Sequence, residues 1–140
     1  MTAQAYTTEI LRLAASLGEP RELERPDGQA ELRSPTCGSR ISVTVELDDQ
    51  RRVKCLSQSV QACAFGQASA ALMEQNVAGK SHKDAADTLI ELSAWLSGSR
   101  DDPGGWPGLD ALEPARSRRG RHGAILLPFR TLLAALEAAK

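Results

Sequence analysis

Aromatic residues make up only 4% of this 140-residue chain, and cysteine occurs three times. So few rings exclude a core built on large aromatics and remove the stacking platforms that single-stranded nucleic acid requires. Three cysteines, too few and odd in number, exclude a secreted disulfide scaffold. No stretch approaches the ~20 consecutive apolar residues that span a bilayer, and no basic region followed by an apolar run opens the chain. A cytoplasmic location with reduced thiols is therefore expected. Neither sign of charge dominates: 17 Lys and Arg stand against 18 Asp and Glu, a formal net charge of -1. Without a global field there is little to gather a polyanion or an acidic membrane, so nucleic acid and membrane partners are disfavoured.

What is present suffices for a core. Hydrophobic residues reach 41% and charged residues 25%, so Leu, Ala, Val and Ile must supply the interior of one compact domain spanning 1–140. Tyr6, Ile10, Leu13, Ala14 and Leu17 share one helical face, and Gly18 with Pro20 ends that helix. The run RISVTVEL at 40–47 alternates Ile41, Val43, Val45 and Leu47 with polar residues, the period of a half-buried strand. A weaker strand at about 29–34 precedes it, and 52–59 returns antiparallel after a polar turn. From Cys63 the period becomes helical, through Phe65, Ala68, Leu72, Met73 and Val77 to a stop at Gly79. Ser81-His82-Lys83-Asp84 has the form of a capping box, opening a helix with the stripe Ala85, Leu89, Leu92, Leu96 and a stop at Gly98. Residues at about 98–122 are rich in Gly, Pro, Arg and Asp and read as a long surface excursion unable to build a core. Ile125, Phe129, Leu132, Leu133 and Leu136 then form an amphipathic helix, with Pro128 in its first turn or kinking it. The expected fold class is α+β, a three-stranded antiparallel sheet covered by helices. Its expected core includes Ile41, Val43, Val45, Leu72, Leu89 and Leu133.

Several motifs have plain explanations. Gly79-Lys80-Ser81 imitates the end of a phosphate-binding loop, but Glu74 stands where the required first glycine belongs, so a helix stop followed by a cap accounts for it. Arg116, Arg118, Arg119 and Arg121 could meet an acidic partner or a phosphate, although a solvated loop is the simpler reading. His82 is expected to be exposed at the start of a helix. Cys55 precedes Cys63 by eight residues of mostly extended chain, up to about 26 Å at ~3.3 Å per residue, and is read as a packing residue.

Cys37 and Cys63 carry the chemistry. Cys37 lies in the turn SPTCGS before the best strand, and Cys63 opens a helix whose orphan amides favour thiolate, the form that binds metal or accepts sulfur. PTCGSRISVTVELD at 35–48, the cysteine in QACAFGQASAALM at 61–73, AGKSHKDA at 78–85 and the His-Gly pair at 122–123 before a final helix together resemble a known family. It is the iron–sulfur cluster assembly scaffold family of the NifU N-terminal, IscU and SufU type, closest to its SufU-like branch. The resemblance implies a single scaffold-like domain of IscU/NifU-N fold, without enzymatic activity of its own. It implies Cys37, Cys63 and His122 as ligands of iron or zinc, with Cys37 and Cys63 holding a transient iron–sulfur cluster or accepting sulfur. A cysteine desulfurase or another iron–sulfur assembly protein is the implied partner. Where the family has an Asp and a third cysteine, this sequence has Ser39 and Gly123.

Three functions are open at this point. The first is a scaffold that binds iron or zinc, or accepts sulfur, on Cys37 and Cys63. The second, motivated by Ser39 and Gly123, is a degenerate scaffold relative that binds partners or regulates without cluster chemistry. The third is a reversible Cys37–Cys63 disulfide, which requires their Cα atoms within about 7 Å.

Overall fold

The computed structural model describes residues 6–35 and 38–139. Helix α1 spans Thr8–Ala15, the strands are β1 (Gly28–Arg33), β2 (Arg40–Leu47) and β3 (Val53–Gln61), and α2 (Ala64–Asn76) and α3 (His82–Ser97) follow. Short 3-10 helices at Leu109–Ala115 and Arg119–Arg121 lead into α4, His122–Ala138.

Alternation in β2 dictates the sheet. All pairings are antiparallel in the order β1-β2-β3. Ile41 pairs with Leu32 and Val60, Val43 with Ala30 and Gln58, and Val45 with Gly28 and Leu56, which places these rows on one face. Ile41, Val43 and Val45 are fully buried there, while Ser42 and Thr44 face the other side with Ser59 and Ser57. The fold is thus α+β, a three-stranded antiparallel sheet packed against helices.

Helices α2 and α4 cover the dry face. Ala135 of α4 lies so close to Gly28 that a Cβ at Gly28 would stand 2.1 Å from the Ala135 carbonyl oxygen, which explains a glycine at the start of a strand. Gly66, Ala68, Ser69, Ala70 and Ala71 give α2 a run of small residues, so α4 approaches closely: the Ser69 hydroxyl donates to the Ile125 carbonyl at 2.6 Å. Helix α1 lies along α2, with Tyr6 and Phe65 rings 4.9 Å apart at one end and the Gly18 N–H donating to Glu74 at the other.

Three expectations are corrected. The segment 98–122 does contribute to the core: Trp106, Leu109, Leu112 and Ala115 are buried. They recur every three residues, the repeat of the 3-10 helix that carries three of them, so one narrow stripe is apolar although the overall composition is not. The Trp106 indole N–H donates to the Leu72 carbonyl at 2.9 Å, and its ring meets Phe129 edge-on at 5.1 Å. Pro128 sits in the second turn of α4, because the helix begins at His122. Two members of the expected core are less enclosed: the buried stripe of α3 runs through Ala85, Thr88, Leu92, Trp95 and Leu96, which leaves Leu89 at its margin, and Leu133 is likewise half-buried.

Candidate functional site

The three strands and two helices converge at one end of the molecule. Arg33 pairs with Arg40 and Arg40 with Gln61, so the β1–β2 loop and the end of β3 lie side by side. The chain then turns through Ala62 and Cys63 into α2, where a Cβ at Gly66 would stand 2.7 Å from the Ala62 Cβ and 3.3 Å from the Ala124 carbonyl oxygen. From Ala135, beside Gly28, to Ala124 the helix rises about 16 Å, the same distance that β1 climbs from Gly28 to Arg33. The starts of α2 and α4 therefore share one level with the β1–β2 loop.

Cys63 is the N-cap of α2. Its backbone is extended, its carbonyl accepts the Gln67 N–H at 2.9 Å, and no side chain caps the first amides of the helix. The Gln67 side chain donates to the Ala62 carbonyl at 2.9 Å, which fixes the turn that presents the thiol. The thiol is half-buried and free of any disulfide.

His122 opens α4. Its Nε2 lies 2.9 Å from the Ala115 carbonyl and 3.0 Å from that of Arg116. Carbonyls only accept, so Nε2 carries the proton and the Nδ1 lone pair is the one available to a metal. A sulfur and an imidazole nitrogen suit zinc or iron. Among the described residues, no group of three His, Cys, Asp or Glu that could hold a metal is present.

Cys37 lies outside the described residues. Its loop is bracketed by the Ser34 N–H donating to the Ser39 carbonyl at 2.8 Å and the Gly38 N–H donating to the Ser34 carbonyl at 3.1 Å. Gly38 adopts φ +71°, a left-handed conformation that favours glycine. Ser39 is buried. Cys55 sits opposite Glu46, six residues and about 20 Å of strand before Gln61, which puts it away from the end that carries Cys63. It lines a groove with Arg21, Lys54 and Glu74 on the flank of the sheet. His82 is exposed, 3.3 Å from Glu137.

Arg116 is not a solvated loop residue. Its guanidinium donates to the Trp95 and Arg100 carbonyls at 3.0 and 3.2 Å and stacks on the Trp95 ring, closing the C-terminal end of α3. Arg118, Arg119 and Arg121 are exposed, as is Arg33, while Arg40 is half-buried. Arg33 and Arg40 carry a sequence signal that composition and periodicity pass over, the symmetric run from Arg33-Ser34 to Ser39-Arg40 around the turn.

The fold is an α+β domain whose small sheet gathers its turn and two helix starts at one end, with a thiol and an imidazole there. The chain belongs to the NifU-like N-terminal domain family, whose sequence model matches residues 5–98, the iron–sulfur cluster assembly scaffold family that its cysteine motifs resemble. The crystal structure of a nitrogen-fixing NifU-like protein (N-terminal) from Brucella abortus is 28% identical, with a TM-score of 0.88 over 96% of this chain and 93% of that one. A proposed iron–sulfur cluster assembly scaffold protein for the SUF system from Fervidobacterium islandicum AW-1 shares the fold at 20% identity, with a TM-score of 0.84 over 94% of this chain and 96% of that one. No curated protein matches the chain. No helix among the described residues is long and apolar enough to cross a membrane.

Proposed function

We propose that the chain is an iron–sulfur cluster assembly scaffold in which Cys37 and Cys63 bind iron or zinc, or accept sulfur, with His122 as a further donor. The observation that supports this most is Cys63 itself. It is a half-buried thiol on a turn held by Gln67, beside the start of α4, where His122 presents a fixed tautomer. On this reading a cysteine desulfurase or another assembly protein delivers sulfur, and the cluster is cargo rather than a resident group. Transfer is an exchange between sulfurs: a thiolate of this chain attacks the outer sulfur of a partner persulfide, and the partner's thiolate leaves. The protein has no catalysis of its own, is cytoplasmic, and comprises one scaffold-like domain over 1–140.

Metal and acid-labile sulfide, measured on protein purified without oxygen, test this reading. Zinc, or iron with sulfide, should be present in the wild type and lost in Cys37→Ser and in Cys63→Ser, and either wild-type thiol should acquire sulfur from a desulfurase. A wild type that neither binds metal nor accepts sulfur would remove the reading. A second reading, a relative that binds partners or regulates without cluster chemistry, is favoured by the buried Ser39 and by Gly123, which offer neither a carboxylate nor a thiol at those two positions. It expects desulfurase binding to be unchanged in the Cys37→Ser/Cys63→Ser double variant.

A further inference from the structure

Arginines without carboxylate partners gather toward the end of the molecule that carries Cys63. Arg33 and Arg40 stand directly opposite each other across β1 and β2, an arrangement of like charges that costs stability. Arg118, Arg119 and Arg121 lie within a turn or two of His122, at the level of the same loop. None of these five forms an ion pair with a carboxylate among the described residues, although Arg52, Arg100 and Arg116 each do so elsewhere. In a chain of net charge -1, the exposed and unpaired Arg118, Arg119 and Arg121 form a rim at the start of α4 that is a local reversal of the overall balance, while Arg33 and Arg40 belong to the sheet face turned away from α4.

Arg116 marks the boundary of this rim. It closes the negative end of α3, so the carbonyls there do not offset its neighbours. Beside it a cavity of about 680 Å³ is lined by Arg116, Ser117, Arg119 and His122 together with the end of α3. A concave site whose lining includes the exposed and unpaired Arg119 suits a protruding carboxylate.

We propose that this rim, formed by Arg118, Arg119 and Arg121, docks the acidic surface of a protein partner, with a carboxylate of that partner entering the cavity beside Arg119. Guanidinium groups bind carboxylates in forked pairs, which gives orientation as well as attraction. Nucleic acid fits poorly, because Phe65, Trp95, Trp106 and Phe129 are buried and Tyr6 packs on Phe65, leaving no ring on which a base could stack. A membrane surface fits poorly as well: among the described residues, the large apolar side chains that are exposed, Leu11 and Ile90, belong to α1 and α3 and not to the rim. Where the partner is the sulfur donor, which rests on the function proposed above, docking brings its persulfide to the end that holds Cys63.

The test uses the full chain, a glutamate-rich peptide as the acidic probe and a lysine-rich peptide as the control. The wild type should bind the acidic probe with an affinity that falls as salt rises, and an Arg118→Glu/Arg119→Glu/Arg121→Glu variant should lose about tenfold or more. Arg12→Glu/Arg130→Glu, which carries reversed charges outside the rim, should bind like the wild type, and circular dichroism confirms that each variant is folded. Equal binding by the rim and control variants overturns the proposal, as does a wild type that fails to bind the acidic probe. Sulfur transfer from a cysteine desulfurase is read separately. Rim variants should raise the desulfurase concentration needed for half-maximal transfer and leave the saturating rate unchanged. If no sulfur reaches wild-type Cys37 or Cys63, the scaffold reading fails, while the peptide result still decides the docking surface.

Discussion

Gly66 shows how one missing side chain sets the spacing of the thiol end. A Cβ there would fall 2.7 Å from the Ala62 Cβ and 3.3 Å from the Ala124 carbonyl oxygen, inside ordinary contact on both sides. The Ala124 carbonyl has no helical N–H to accept, because the residue four positions on is Pro128. The close seat of Gly66 against a proline-freed carbonyl is therefore a feature of both helices. Gly66→Val should destabilise the protein by about 1–3 kcal/mol, since the crowded neighbours are a short side chain and backbone that cannot swing away. The denaturant midpoint measures this, and an unchanged midpoint would mean that α2 and α4 can separate without cost. His122 illustrates the same dependence on backbone. The pattern His-Gly before a helix marks the residue as a candidate donor, but only the 3-10 turn that brings the Ala115 and Arg116 carbonyls to its ring decides which nitrogen keeps the proton.

Among the elements, α3 was written most plainly into the sequence. Ser81 accepts from the Asp84 N–H, the Asp84 carboxylate accepts from the Ser81 N–H at 2.9 Å, and Gly98 ends the helix at φ +89°. Ser81→Ala should therefore cost about 0.5–2 kcal/mol, visible as a lower thermal midpoint. The same box gives a pH dependence. The Ser81 backbone N–H holds the Asp84 carboxyl below the usual carboxylate range, with the Ser81 hydroxyl, Lys80 and Arg52 adding to the effect. A lowered value means that the stabilisation is full above the usual range and is lost as pH falls through the depressed value. Asp84 is partly exposed, so the effect is modest: Asp84→Asn should lower the neutral plateau of the stability curve slightly and flatten its acid limb, leaving stability at the lowest pH unchanged, as denaturant midpoints measured across pH would show. Strand β2 was equally legible, its bounds at 40 and 47 following from strict alternation. The segment before α4 was not, because Trp106, Leu109, Leu112 and Ala115 follow a repeat of three that neither the strand period nor the α-helical period detects, in a stretch whose Gly, Pro and Arg content signals a loop. Of the site, the placement of Cys63 at a helix start was readable from the change of period; the opposition of Arg33 and Arg40 required the strand register.

At the scale of the whole molecule, the family match at 5–98 and the core do not have the same boundaries. The sheet's dry face is closed by α4, which lies wholly beyond residue 98 and buries Ile125, Leu126, Leu127, Phe129, Leu132 and Leu136. At about 1.5–3 kcal/mol for each large apolar side chain, these six contribute on the order of 9–18 kcal/mol of burial. That matches or exceeds the entire net stability of a typical domain, about 5–15 kcal/mol. The segment before α4 adds Trp106, whose indole N–H donates to the Leu72 carbonyl of α2. A fragment ending at Gly98 keeps Cys37 and Cys63 and the whole of the matched region, yet it exposes Ile41, Val43 and Val45 on one face and Met73 and Leu72 on the other. It should show no cooperative thermal transition and should bind a hydrophobic dye, whereas the full chain unfolds in one step. Cooperative unfolding of that fragment would show that α1, α2 and the sheet form a self-sufficient core, and that α4 serves only to bring His122 and the arginine rim to the thiol end.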